Sequence, residues 1–287
     1  MTTPFAGYAT QQDLDRDYDV DNAVDDFDGY VKWYLETSAA AREALECRVD
    51  VPYGPTLMER ANIFPASSAE PAPILVFIHG GYWRILTADV FDMIATGPVA
   101  AGFAVVNVTY DLCPRVTISE IVRQVRAAIA WAARNAESFG GDPSRIYVAG
   151  HSAGGHLTAT AVLADWEADY GLPADLIKGA IPISGLFDLE PVSYSFVQTS
   201  LRLTGEQVLK DSPIRHIRPS NVPMVVAWGG KETYAFRKQS QDFFDAWQAA
   251  GNSGIAVTPD KDHFDILDGF QTIDGALTQA LLRLDGR

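Results

Sequence analysis

Short apolar runs separated by longer polar stretches set the rhythm of this chain. Pro73-Ile74-Leu75-Val76-Phe77-Ile78 and Phe103-Ala104-Val105-Val106-Asn107-Val108 are nearly continuous and rich in β-branched residues, the pattern of strands covered on both faces. Further strands are predicted at Arg145-Ile146-Tyr147-Val148-Ala149, at Gly179-Ala180-Ile181-Pro182-Ile183, at Met224-Val225-Val226-Ala227-Trp228 and at Ile255-Ala256-Val257-Thr258. Between Ile118 and Phe139, the residues Ile121, Val122, Val125, Ile129 and Trp131 recur at helical spacing, and Gly140-Gly141-Asp142-Pro143 stops the helix. Val31 to Leu45, Phe236 to Ala250 and Thr272 to Leu284 also have helical composition. Strand and helix alternating in this way predict a doubly wound α/β fold with a mostly parallel sheet. Pro182 lacks a ladder donor, which predicts an edge position or a bulge for its strand.

At 287 residues the chain suits a single domain spanning 1–287. No apolar run approaches the roughly 20 residues that cross a bilayer, and the opening Met1 to Tyr8 lacks the basic and apolar regions of a secretory signal. A cytoplasmic protein with no membrane partner is the expectation. Cys47 and Cys113 lie far apart and show no zinc-ligand spacing, so reduced thiols and no metal are expected. A net charge of −15 repels phosphate backbones and argues against nucleic acid as a partner. Eight aspartates between Asp13 and Asp28 read as a solvated face, because no Gly-centred loop with a closing Glu follows them.

The chemistry concentrates in loops beyond strand ends, where a sheet of this type holds its reactive groups. Gly150-His151-Ser152-Ala153-Gly154-Gly155-His156 follows the strand at Arg145 and has the G-x-S-x-G form of a strand-to-helix turn that exposes a serine hydroxyl. His79-Gly80-Gly81-Tyr82-Trp83 follows the strand ending at Ile78. Its glycines allow backbone amides to approach a developing oxyanion, so the amides of Gly81, Tyr82 and Ala153 are the predicted oxyanion hole. A serine nucleophile needs an imidazole. Of the five histidines, His79, His151 and His156 belong to these loops and His216 to a Pro-flanked connection. That leaves His263, after the last predicted strand, as the base. Glu232, four residues beyond Trp228, is the favoured acid, with Asp188 as its competitor; Asp260 and Asp262 cap or solvate the histidine loop.

Together these residues resemble the α/β-hydrolases, and within them the arylformamidase (kynurenine formamidase) group. Tyr82 stands where lipase-like esterases usually carry a third glycine, and His151 where they commonly carry Asp. Tyr110-Asp111-Leu112-Cys113-Pro114, Ser184-Gly185-Leu186-Phe187-Asp188-Leu189, Phe236-Arg237 and His263-Phe264-Asp265 extend the similarity. The resemblance implies a serine hydrolase without metal or cofactor and with Ser152, Glu232 and His263 as its triad. The implied substrate is a small molecule, N-formylkynurenine or another N-formyl amide. It also implies an N-terminal helical extension, residues 1–46, that covers the active site in place of a large separate cap. Tyr82, Trp83, Tyr194, Phe196 and Tyr234 are the aromatic residues expected to wall an aryl or alkenyl leaving group. A carboxylesterase acting on short acyl esters is the nearest alternative. A non-catalytic hydrolase-fold binding protein is a more distant one, since all three triad candidates are present. A homodimer is the common outcome for soluble enzymes and the expectation here.

Overall fold

The near-continuous apolar runs form the middle of one eight-stranded sheet. In the computed structural model, which describes residues 7–66 and 70–287, the strands are β1 (Arg48–Pro52), β2 (Arg60–Phe64), β3 (Ala72–Ile78), β4 (Ala104–Thr109), β5 (Gly141–His151), β6 (Ile177–Ile183), β7 (Met224–Ala227) and β8 (Gly254–Val257). Residues 1–6, which carry most of the opening segment read above for a signal, lie outside the described residues. The strand order is β1-β2-β4-β3-β5-β6-β7-β8. β1 and β2 pair antiparallel with their neighbours, and all other pairs are parallel. Every residue of β3 and β4 is buried, as a strand sandwiched between helical layers requires.

β1 and β2 were not among the predicted strands. β1 is short, mostly exposed and mixed with charge, and its register is broken between Arg48 and Val51, where Asp50 takes φ 56°. A bulged, charged edge of this kind discourages pairing with a second molecule, and it also erases the apolar alternation that marks a strand.

The expectation for Pro182 is corrected. Its strand β6 is interior, between β5 and β7. The donors on either side of the proline, Ala180 N–H and Ser184 N–H, reach the carbonyls of Pro223 (3.1 Å) and Ala227 (2.8 Å) on the β7 side. The ladder therefore forgoes one bond at Pro182 and resumes with its register intact, so no bulge is needed.

The opening segment folds over the carboxyl end of the sheet as α1 (Gln11–Tyr18) and α2 (Phe27–Ala44). Thr10 and Asp26 cap these helices by accepting from the amides of Asp13 and Gly29. The far end of α2 is tied to the sheet by Arg42, which pairs with the buried Asp92 at 2.6 Å. Asp92 also accepts from Asn62 of β2 and Asn107 of β4, so the buried carboxylate is fully engaged. The middle of α2 is tied by Tyr34, whose hydroxyl donates to the Phe264 carbonyl at 2.8 Å.

Candidate active site

Ser152 lies between β5 and the helix Ala153–Val162 with φ 57° and ψ −117°, a conformation that L residues rarely adopt and that surrounding structure must enforce. The glycines around it are steric necessities. A Cβ at Gly150 would run into the Gly154 carbonyl, and one at Gly154 into the Ile78 carbonyl of β3. The elbow therefore presses against the neighbouring strand's end, where the His79–Trp83 loop begins.

That loop is held in an unusual shape. Gly81 has φ 105°, and Tyr82 and Trp83 have φ 50° and 55°. Its carbonyls are occupied from outside: Arg84 and Ile85 amides donate to Gly81, and the Cys113 amide donates to Trp83. Tyr110 stacks on the His79 ring at 4.2 Å and donates its hydroxyl to the His79 carbonyl. The Tyr82 hydroxyl donates to the Tyr18 carbonyl of α1 at 2.5 Å. The amides of Gly81, Tyr82 and Ala153 donate to no other group among the described residues.

His263 and Glu232 meet across the loops after β8 and β7. His263 Nδ1 is 2.9 Å from Glu232 Oε2, and both side chains are buried. The other carboxylate oxygen, Oε1, accepts from the Gly229 amide at 2.5 Å and from the Ser184 hydroxyl at 2.6 Å. The Phe236 ring meets the imidazole edge-on at 4.5 Å. Asp188 is directed elsewhere, toward Arg215 at 3.1 Å and the Glu190 amide at 3.0 Å. Asp262 caps the histidine loop by accepting from the amides of Phe264 and Asp265, and Asp260 pairs with Lys231.

A cavity of about 260 Å³ opens onto Ser152, His151 and His263. Gly81, Tyr82, Arg84 and Phe196 line one side, and Asp19, Asp21, Phe27, Tyr30 and Tyr34 of the opening segment line the other. Val31, Leu35, Ile85 and Leu86 form a partly exposed apolar rim. Asp21 has its carboxyl raised above the ordinary range, first by burial and then by the nearby Asp19.

Of the five predicted aromatic walls, two line this cavity and three do not. Trp83 is turned into the core, where it meets the His156 ring edge-on at 5.0 Å. Tyr234 opens the helix Tyr234–Ala249 on its outer face and is 58% exposed, whereas Phe236, two residues on, faces His263. Tyr194 is 54% exposed, and its carbonyl accepts from Gln11. Their places are taken by Phe27, Tyr30 and Tyr34, spaced three and four apart on one face of α2. Phe27 and Tyr30 both pack on Phe264 at 5.3 Å. The i, i+3, i+7 spacing was the available signal for that wall.

The BD-FAE family matches residues 62–247. Kynurenine formamidase of Salmo salar is 32% identical over 276 residues, 93% of this chain and 91% of that one. Esterase LipC of Mycobacterium tuberculosis is 31% identical, over 71% of this chain and 56% of that one. Among solved structures, a candidate thioesterase of Silicibacter sp. superposes with a TM-score of 0.83 at 27% identity, covering 94% of this chain and 98% of that one.

Proposed function

The chain belongs to the BD-FAE family of α/β-hydrolases and is a hydrolase of the formamidase and esterase type, and from that premise we propose that it is a serine hydrolase cleaving an N-formyl amide. The observation that carries the reading is the buried 2.9 Å contact between His263 Nδ1 and Glu232 in the same cavity as a serine held on a strained turn. The carboxylate fixes Nδ1 as the protonated nitrogen and leaves Nε2 free to act as a base.

In this reading His263 takes the Ser152 proton as Oγ attacks the formyl carbon, and the oxyanion is held by the open amides of Gly81, Tyr82 and Ala153. The C–N bond then breaks, and the nitrogen leaves with the proton carried by His263. Water, deprotonated by the same imidazole, attacks the formyl-serine ester, and as that ester breaks His263 returns the proton to Ser152 Oγ, releasing formate and free Ser152. A formyl carbon bears only hydrogen, so its side of the site needs almost no room. The cavity, near the small end of ligand sites at ~300 Å³, is left to the leaving group, whose aromatic walls are Tyr30, Tyr34, Tyr82 and Phe196.

The similarity to esterase LipC favours a second reading, cleavage of short acyl esters by the same residues. Measuring kcat/KM for N-formylkynurenine, a simple N-formyl anilide and p-nitrophenyl acetate separates the two. Activity confined to the ester removes the amide reading. Turnover of any of the three that survives in Ser152→Ala removes the serine mechanism.

A further inference from the structure

His151 precedes the nucleophile and has no part in the mechanism above, yet it hydrogen-bonds the His263 backbone and packs beside the His263 ring. Its Nε2 lies 2.8 Å from the His263 carbonyl oxygen. Because a carbonyl only accepts, Nε2 carries the proton, and Nδ1 of the neutral ring is the unprotonated nitrogen. The two imidazoles lie 4.6 Å apart, inclined at 45°. On its other side the ring fits against the oxyanion loop: a Cβ built on Gly80 would stand 3.3 Å from His151 Nδ1 and 3.1 Å from Ser152 Cβ. Nδ1 itself has no hydrogen-bond partner among the described residues. The ring is 3% exposed, and burial, then the neighbouring His263, holds it neutral far below the ordinary histidine range.

Building on the serine-hydrolase reading, we propose that His151 is a positioning residue. Its Nε2–H holds the His263 backbone so that the catalytic imidazole can return a proton to the departing atom of the substrate. Glu232 grips the ring of His263 from one end, and His151 grips its backbone from the other. Neutrality suits the role, because a second cation packed against His263 would oppose the imidazolium that forms during turnover.

The role predicts an effect that depends on the leaving group. A formanilide nitrogen must receive a proton to leave, whereas p-nitrophenolate departs without one. General acid catalysis is therefore needed for acylation by the first and idle in acylation by the second, whereas deacylation returns a proton to Ser152 Oγ with either. His151→Phe keeps a ring of similar size and removes the donor. Its kcat/KM, which reports acylation, should fall roughly tenfold or more further for the formanilide than for p-nitrophenyl acetate, since misplacement of a catalytic group by about 1 Å can cost on the order of 10²-fold. His151→Gln, whose Nε2–H can replace the lost donor, should restore the amide-to-ester ratio to within about threefold of wild type. A cooperative thermal transition by circular dichroism reports that each variant is folded; if His151→Phe is not, His151→Met, also without a donor, takes its place.

Equal losses on the two substrates, or a Gln variant no better than Phe, would overturn the proposal. If wild type cleaves p-nitrophenyl acetate but no formanilide, the amide reading fails. The His151 proposal is then judged on ethyl acetate, whose alkoxide also needs a proton. A wild-type protein whose Ser152 neither takes a fluorophosphonate label nor turns over any of these substrates overturns both ideas.

Discussion

Replacing Glu232 with Gln isolates the acid's contribution, because the surroundings dictate how the new amide must sit. The Oε1 position faces the Gly229 N–H at 2.5 Å and the Ser184 hydroxyl at 2.6 Å, and the backbone donor cannot be reversed. The glutamine carbonyl must occupy that position, which turns its NH₂ toward His263 Nδ1, where Oε2 now stands at 2.9 Å. Two donors cannot share that contact, so the imidazole shifts to the tautomer protonated on Nε2 and loses the lone pair by which the proposed mechanism activates Ser152. In a triad this wrong-tautomer effect is worth about 10⁴ in kcat, or ~5.4 kcal/mol at 1.36 kcal/mol per decade. Stability should change far less. The isosteric side chain keeps two hydrogen bonds and loses only their charge assistance, about 1–2 kcal/mol, which lowers Tm by a few degrees. The assay is kcat on p-nitrophenyl acetate alongside the rate of fluorophosphonate labelling, with Tm from circular dichroism. A loss below tenfold with Tm preserved, or a larger loss for Asp188→Asn, would refute the reasoning.

Burial pushes the His79 and His156 imidazoles down to about 4, against about 6.5 in an unfolded chain. As pH falls from 6.5 toward 4 the unfolded state binds protons that the native state refuses, so stability present above this window is lost within it, by ~2 kcal/mol per group at pH 5. His156→Gln should shrink the stability difference between pH 7 and pH 5 by about that amount in urea titrations, and an unchanged difference contradicts it. Tyr82→Phe removes the donor to the Tyr18 carbonyl and should cost about 1–2 kcal/mol. Hydrogen exchange across α1 and α2 should quicken relative to the sheet, and unaltered protection there disproves the tether.

The parts legible in the sequence were those governed by local rules. Buried parallel strands need continuous apolar runs, and β3 and β4 show them; the elbow needs glycines at fixed offsets, and Gly150 and Gly154 supply them. Ser152, Glu232 and His263 could be ordered along the chain because each follows its own strand end. What long-range packing decides was less legible. Whether Trp83 or Tyr82 faces the cavity depends on a backbone in the left-handed region at two consecutive residues, which no propensity foretells. Pro182 was misjudged because the number of strands outside β6 sets whether it is an edge, and the interval between Ala180 and Ser184 shows that an interior strand can forgo one donor.

The wall contributed by residues 19–35 has a consequence for how this enzyme can diverge. The BD-FAE match begins only at residue 62, so a segment that supplies eight of the twenty residues lining the cavity lies outside the part of the chain that defines that family. One wall of the cavity is thus written in a stretch of sequence separate from the elbow and the Glu232–His263 pair. A library confined to the opening forty-odd residues could redirect the enzyme to new leaving groups while the elbow, the oxyanion loop and the Glu232–His263 pair stay untouched. By the same logic, two chains with indistinguishable cores can serve different metabolic steps.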